Sequence, residues 1–105
     1  MPDPPYYAVI FTSQRTPSDD GYEALAERML ELASQQPGFL GVDAVRDASG
    51  RGMTASYWTD LESIRRWRNQ AQHRMAQALG RSGWYSEYEI RICRVEEVRR
   101  FHAAE

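Results

Sequence analysis

The clearest hydrophobic pattern lies between residues 22 and 36, where apolar side chains recur three and four positions apart. This spacing predicts an amphipathic helix that buries one of its faces. The apolar stripe consists of Tyr22, Leu25, Ala26, Met29, Leu32 and Ala33. Pro37 and Gly38 end the pattern, because proline lacks an N–H group and glycine tolerates a positive φ. At the start, Asp19 or Asp20 is expected to cap the helix by accepting hydrogen bonds from its first N–H groups.

Other segments alternate apolar and polar positions or concentrate aromatic and β-branched residues, and these patterns predict strands. The predicted strands span residues 6–13, 39–47, 53–59 and 84–95. A short turn with two glycines joins the second strand to the third, which predicts a hairpin. Thr59 and Glu62 match a capping box and predict the start of a second helix, which ends at Gly80. This helix either continues through the polar residues 68–74 or breaks there and restarts.

The resulting order, β-α-β-β-α-β, indicates the α+β class and a ferredoxin-like sandwich with both helices on one face of the sheet. The first strand is nevertheless apolar on both of its faces. Its side chains are Tyr6, Ala8 and Ile10 on one face and Tyr7, Val9 and Phe11 on the other. Helices on one side leave the other face open, so we expect a second copy of the chain to cover it and form a homodimer. The alternative is that a helix or the C-terminal tail folds over this face.

The chain length of 105 residues suits a single domain, residues 1–105, with residues 1–5 and 100–105 forming frayed tails. No apolar run approaches the roughly 20 residues that cross a bilayer, and the N-terminus lacks the pattern of a secretory signal. The single cysteine, Cys93, excludes an internal disulfide and suits a reducing compartment. We therefore expect a cytoplasmic protein that does not bind membranes.

Charge and motifs exclude several other classes of function. The formal net charge is −2, and no basic-aromatic RNA-recognition signature is present, so we expect no nucleic-acid partner. No group of His, Cys, Asp and Glu has metal-ligand spacing, which predicts no metal site. The glycines at 50 and 52 join two strands instead of opening a helix, so they do not form a phosphate loop. Any oxidation is therefore expected to proceed without a flavin or nicotinamide cofactor.

The candidate chemistry centres on one histidine and on the tryptophans. His73 lies in the polar part of the second predicted helix and titrates near neutrality, so it is a candidate general base. The alternative is a solvent-exposed helix histidine without a role in chemistry. Trp58, Trp67 and Trp84, together with Tyr57, could line a flat pocket for an aromatic ligand. For these four residues the alternative is a core rich in aromatic side chains.

Several short stretches, in the order and spacing found here, resemble the antibiotic biosynthesis monooxygenase family. They are Gln36-Pro37-Gly38-Phe39-Leu40-Gly41, Ser56-Tyr57-Trp58, Ile64-Arg65-Arg66-Trp67, His73, Gly80-Arg81 and Trp84-Tyr85. The resemblance extends from the first strand to the last. It implies a dimeric α+β barrel in which two ferredoxin-like sheets pack face to face. The family includes cofactor-independent monooxygenases that act on polyphenolic or quinol substrates, and enzymes that degrade haem.

For this chain the resemblance implies a monooxygenase that needs no cofactor and acts on a small aromatic or quinol-like substrate. The predicted catalytic residues are His73 and Trp67, and the predicted substrate-binding residues are Tyr57, Trp58, Arg81 and Trp84. His73 or Arg81 would stabilise a phenolate while the aromatic rings stack on the substrate. The alternative is a non-catalytic dimeric module that binds an aromatic ligand or haem. In the haem-degrading branch an Asn lies on the first strand, where this chain has Thr12, Ser13 and Gln14.

Overall fold

The computed structural model describes residues 2–17, 21–79 and 83–104, apart from the side chains of residues 72–79. It confirms the predicted order of elements. The elements are β1 (Tyr6–Arg15), α1 (Tyr22–Ser34), β2 (Phe39–Arg46), β3 (Arg51–Trp58), α2 (Leu61–Leu79) and β4 (Tyr85–Val95). The strands form one antiparallel sheet in the order β2-β3-β1-β4, and both helices lie on the same face of it. The architecture is therefore the ferredoxin-like fold that the hydrophobic pattern predicted.

Of the two alternatives for the second helix, the structure shows the continuous one. α2 runs without interruption from Leu61 to Leu79, through the polar residues 68–74. This polar stretch is rich in Arg, Gln and Ala, which have high helix propensity, so the loss of apolar spacing does not end the helix. Within the described residues, neither helix combines the length and the apolar character that crossing a membrane requires.

The predicted capping box at the start of α2 is wrong in its choice of cap. Asp60 precedes the first helical residue, and its Oδ1 accepts the N–H of Ser63 at 2.7 Å. This hydrogen bond holds the pKa of Asp60 below its usual value. Thr59 donates its hydroxyl to Asp60 Oδ2 at 3.1 Å, and Glu62 pairs with Arg65 at 2.8 Å instead of reaching back to the cap. Aspartate is the better cap of the two candidates, so the helix starts one residue later than the capping box implies.

Two glycines with positive φ precede α1 and β2. Gly21, with φ of 77°, is the N-cap of α1, and the predicted caps Asp19 and Asp20 lie outside the described residues. Gly38, with φ of 87°, precedes β2. A Cβ atom at Gly38 would lie 2.1 Å from Ser63 Oγ. Glycine is therefore required at position 38 both for its backbone conformation and for the close approach of β2 to the start of α2.

The packed core lies at the end of the sheet where α1 ends and α2 begins. Trp58 is 0% exposed there, and Ala33 and Ile64 pack beside it at 5% and 3% exposed. The rings of Phe39 and Trp67 cover Trp58, with ring centroids 5.4 and 6.4 Å from it. Because burial of apolar surface stabilises the folded state by about 25 cal/mol per Å², this cluster is a main source of stability.

The sheet face opposite the helices combines buried and exposed apolar residues. Tyr6 and Ala8 are buried, whereas Val45 and Met53 are 73% and 48% exposed. Tyr57 belongs to this face, because its register partner on β1 is Ala8. Exposed apolar side chains on the open face are what the homodimer hypothesis requires. The homodimer itself stays a prediction.

Candidate functional site

A cleft of about 610 Å³ lies between the sheet and the two helices. Its walls are mostly apolar, because alternate residues of β1, β2 and β4 point toward the helices and meet their apolar stripes. The lining includes Val9, Phe11, Leu25, Met29, Phe39, Val42, Ile64, Trp67, Trp84, Ile90 and Ile92. Small-molecule sites in proteins span about 300–1,000 Å³ and are similarly apolar, so this cleft is the candidate site.

Polar groups gather around Tyr22 at the end of the cleft away from the packed core. Tyr85 donates its hydroxyl to Tyr22 Oη at 2.9 Å. Arg46 Nη2 donates to the same oxygen at 3.3 Å, and the Arg15 guanidinium lies over the Tyr22 ring with Cζ 3.6 Å from its centroid. We name these residues, with Ser13 and Trp84, the Tyr22 cluster. It brings hydroxyl groups and cations to one end of an otherwise apolar space.

Strand register fixes the position of Arg46 in this cluster. Arg46, Gly52 and Ser13 are paired neighbours across β2, β3 and β1. The guanidinium crosses over Gly52, where a Cβ atom would lie 2.5 Å from Arg46 Cζ, and Nη2 donates to Ser13 Oγ at 2.9 Å. Ser13 is 0% exposed. Arg46 Nη1 also donates to the carbonyl oxygen of Gly50. The arginine head group is thus oriented by three strands and one turn.

Tyr85 is held in its neutral form. Partial burial is the main reason why the pKa of Tyr85 lies well above its usual value of 10.0, and the hydrogen bond to Tyr22 raises it further. Near neutral pH it is therefore a fixed hydroxyl donor to Tyr22 Oη. Its ring also contacts Tyr22 edge-on, with ring centroids 5.7 Å apart. The hydroxyl of Tyr22 is in this way oriented by both Tyr85 and Arg46.

Trp84 contributes a buried indole to the same end of the cleft. It is 3% exposed, and its ring contacts Tyr22 edge-on with centroids 5.6 Å apart. Its carbonyl oxygen accepts hydrogen bonds from the Thr16 N–H at 2.9 Å and from Arg15 Nη1 at 3.1 Å. Its indole Nε1 is buried without a hydrogen-bond partner among the described residues. Such a donor is unusual in a folded protein.

The structure brings only some of the predicted site residues together. Trp67 and Trp84 line the cleft. Trp58 lies underneath, stacked on Trp67 and fully buried, with Nε1 donating to Ser56 Oγ at 2.9 Å. Tyr57 is on the opposite sheet face, where its hydroxyl donates to Asp43 Oδ2 at 3.1 Å. Trp58 therefore supports the site from below, and Tyr57 does not line this cleft.

Two predicted residues cannot be placed by contacts. The side chain of His73 and the whole of Arg81 lie outside the described residues. Their roles stay predictions. Among the residues that are described, no three or more His, Cys, Asp and Glu side chains form a group that would hold a metal ion.

Sequence reasoning did not single out Ser13, Tyr22 or Arg46. Tyr22 was counted in the apolar stripe of α1, and Arg46 lies near the end of a predicted strand, beyond the stretch that carries the family resemblance. Only the three-strand register places Ser13 and Arg46 side by side. The hairpin with Gly52 was visible in the sequence, but the close approach that requires this glycine was not.

A family model described as antibiotic biosynthesis monooxygenase matches residues 5–79. The chain belongs to this family. The resemblance noted in the sequence is thereby confirmed. The uncharacterized protein YqjZ of Bacillus subtilis is 51% identical over 100 residues, which cover 95% of this chain and 88% of YqjZ. The jasmonate monooxygenase ABM of Pyricularia oryzae is 34% identical over 92 residues, which cover 85% of this chain and 43% of that enzyme.

Solved structures of other proteins agree with the fold. SnoaB, a cofactor-independent oxygenase from Streptomyces nogalater, superimposes with a TM-score of 0.70 and 16% identity, over 90% of this chain and 97% of SnoaB. Rv0793 from Mycobacterium tuberculosis superimposes with a TM-score of 0.67 and 14% identity, over 90% of this chain and 97% of that protein. At these identities the likeness shows a shared fold alone.

Proposed function

We propose that this family member is a monooxygenase that uses no bound cofactor and acts on a small aromatic or quinol-like substrate. The observation that carries the proposal is the cleft, an apolar space of about 610 Å³ that ends in oriented hydroxyl and guanidinium groups. Family membership and the 34% identity to a jasmonate monooxygenase support an oxygenase over other uses of such a cleft.

A phenol with an unsubstituted ring carbon supplies every electron that this reaction needs. One oxygen atom of O₂ becomes a carbonyl on the ring carbon, and the other leaves as water, so that phenol plus O₂ gives quinone plus water. Four electrons leave the ring, and four reduce O₂. The protein then has to bind the ring, stabilise the phenolate that donates the electrons, and exclude bulk water.

The aromatic residues of the cleft bind the ring in this scheme. Trp67 stacks on the substrate, Trp58 fixes the plane of Trp67 from below, and Trp84 contacts the substrate at the other end. Stacking between flat apolar surfaces holds a planar substrate without selecting its substituents. Tyr57 has no part in this scheme within one protomer, since it lies on the other face of the sheet.

Oriented cations and hydroxyl groups stabilise the phenolate. Arg46 and the Tyr22 hydroxyl face the polar end of the cleft and offer donors to an anionic oxygen. His73 is the proposed acceptor of the phenol proton, and Arg81 a further cation beside the phenolate, both on the sequence pattern alone.

The proposal includes a homodimer formed through the open sheet face. Val45 and Met53 are exposed apolar residues of that face. Sedimentation equilibrium of the purified protein should give twice the mass of the 105-residue chain. Met53→Glu should shift the population toward the monomer, because association would bury a carboxylate without a partner. A wild-type protein that sediments as a monomer would contradict this part of the proposal. The cytoplasmic location stays a prediction.

The activity is tested by oxygen uptake with a panel of naphthols and hydroxylated anthracenes, in buffer treated with a chelator. We expect uptake of one O₂ per quinone formed and one labelled oxygen atom in the product when isotopically labelled O₂ is used. Trp67→Ala should lower kcat/KM by about tenfold or more, since orientation of the ring is lost. Phe101→Ala is the matched control, because Phe101 is 87% exposed and does not line the cleft.

Two results would contradict the proposed activity. The first is saturable binding of the phenols with no oxygen uptake, which would support the non-catalytic binding module. The second is an equal loss of activity in the Trp67 and Phe101 variants, which would exclude the cleft as the site. Titration with haemin under the same conditions separates a haem-binding module from one that binds other aromatic ligands.

A further inference from the structure

The arginines of the chain differ in how their charge is balanced. Seven of them form ion pairs with glutamate side chains. These pairs are Arg28–Glu31, Arg51–Glu87, Arg65–Glu62, Arg66–Glu62, Arg91–Glu89, Arg94–Glu96 and Arg99–Glu97. Arg46 and Arg68, the two arginines that line the cleft, form no ion pair with any described carboxylate. The two cleft arginines therefore differ from these seven in having no described carboxylate partner.

Among the described residues, the groups that hold Arg46 in place are all neutral. Its acceptors are Ser13 Oγ at 2.9 Å, Tyr22 Oη at 3.3 Å and the carbonyl oxygen of Gly50. Its head group also occupies the space over Gly52 that any other residue would fill. These contacts orient the guanidinium, which is exposed to solvent and forms no ion pair with a described carboxylate. A pre-oriented guanidinium at the end of an apolar cleft is well suited to bind a planar anionic group.

The charges of the cleft lining also favour an anionic ligand. Among the described lining residues, the charged groups are the guanidiniums of Arg46 and Arg68 and the carboxylate of Glu27. The described part of the lining therefore carries an excess of one positive charge, although the whole chain has a formal net charge of −2. The three charged side chains are exposed, so solvent screens them in part, and the excess positive charge favours an anion over a neutral ligand of the same shape.

We infer that the cleft selects ligands that carry an anionic oxygen group on an apolar ring, a carboxylate or a phenolate, and that Arg46 determines this selectivity. The inference rests on the proposed function in placing the ligand in the same cleft, and it requires no turnover. Arg46 binds the anionic group, and Ser13 and Gly52 act through Arg46 as positioning residues.

The test compares ligands of equal shape and different charge without oxygen. Binding of 1-naphthoate and 1-naphthamide is measured anaerobically by calorimetry on the full chain. We expect the wild-type protein to bind the carboxylate at least about tenfold more tightly than the amide. Arg46→Gln should bind naphthoate about tenfold more weakly than the wild-type protein does and should bind naphthamide with unchanged affinity. Arg51→Gln is the matched control, because Arg51 belongs to the same end of the sheet, does not line the cleft and pairs with Glu87.

A second probe separates the two sources of the anionic oxygen. The ionisation of bound 1-naphthol is followed by its absorbance as pH rises. If the site takes phenolates, bound naphthol ionises at lower pH than free naphthol, and Arg46→Gln removes this difference. If it takes only carboxylates, naphthoate binds tightly and the naphthol titration does not shift.

Several outcomes would overturn the inference. Equal affinity for naphthoate and naphthamide, together with an unshifted naphthol titration, would contradict it. So would the absence of naphthoate binding and of a naphthol shift up to millimolar ligand. An equal weakening of both ligands in Arg46→Gln would indicate a structural role, which Arg46→Lys checks by keeping the charge. Tight naphthoate binding without oxygen uptake by any phenol would uphold this inference and overturn the proposed activity.

Discussion

The two ends of the cleft are built from different interactions. At the core end, Trp58 is 0% exposed and is enclosed by Phe39, Trp67 and Ile64, so side-chain packing fixes the geometry. At the other end, the Tyr22 cluster is fixed by hydrogen bonds, and its Arg46 forms no ion pair with a described carboxylate. The comparison indicates that the first end stabilises the fold and that the second end is arranged for a ligand.

The largest effect is expected from a cavity at the packed end. Trp58→Ala removes a side chain that is fully buried under Phe39 and Trp67, which should lower the free energy of unfolding by about 3–5 kcal/mol. Arg46→Gln, at the other end, should change it by about 1 kcal/mol or less. Urea denaturation of both variants at one protein concentration makes the comparison. Similar losses in the two variants would show that the ends do not differ as we infer.

The second largest effect is expected where Gly38 approaches Ser63 at the packed end. Gly38→Ala places a Cβ 2.1 Å from Ser63 Oγ at a φ of 87°, and we expect it to lower the free energy of unfolding by about 2–3 kcal/mol. Gly21→Ala is the matched control, since it has a similar φ of 77° and no described atom within 4 Å of its Cβ. The control should lower the free energy of unfolding only by what a positive φ costs a residue with a Cβ atom, about 1–2 kcal/mol. Equal losses in urea denaturation would mean that Ser63 moves aside at little cost.

The packed end could largely be predicted from the sequence, and the polar end could not. Apolar periodicity placed Ala33 and Ile64 on helix faces that meet the sheet, and burial of apolar surface then determines where they pack. Ser13, Tyr22 and Arg46 come from three elements, and their meeting depends on strand register. Register follows from the whole hairpin and sheet, and no local spacing reveals it.

Individual errors have similar physical reasons. Tyr57 and Trp58 are adjacent in sequence and were assigned to one pocket, but neighbours on a strand point to opposite faces of the sheet. The cap of α2 was assigned to Thr59 by motif, whereas Asp60 is next to the first helical residue and accepts the hydrogen bond. In the first case the direction of a side chain was wrong, and in the second the position of the cap was wrong by one residue.

A smaller effect tests whether the polar end depends on the position of Arg46. Gly52→Ala introduces a Cβ 2.5 Å from Arg46 Cζ, so the guanidinium has to leave Ser13. We expect about tenfold weaker binding of naphthoate with unchanged binding of naphthamide, as in Arg46→Gln. The double variant Gly52→Ala with Arg46→Gln should be no weaker than either single variant, because both changes remove the same contact. Additive losses in calorimetry would mean that Gly52 acts on the ligand by another route.

The smallest effect concerns the hydroxyl of Tyr85, whose pKa is raised by partial burial and by the hydrogen bond to Tyr22. An unfolded chain ionises this tyrosine near the usual pKa of 10.0, before the folded protein does. The stabilisation from Tyr85 is therefore complete below pH 10 and is lost as pH rises toward the folded pKa. The free energy of unfolding should fall by at most about 1.4 kcal/mol per pH unit there, and by less because solvent reaches part of the ring.

Tyr85→Phe isolates this contribution. Urea denaturation between pH 8 and pH 11 should show a shallower decline above pH 10 in the variant than in the wild-type protein, because a phenylalanine has no proton to lose. At neutral pH the variant should be about 1 kcal/mol less stable, since Tyr22 Oη loses the hydrogen bond from Tyr85. Parallel profiles at all pH values would show that Tyr85 is solvated like an exposed tyrosine. The Tyr22 cluster would then be open to water, and its cations would attract anions less strongly than a dry cleft allows.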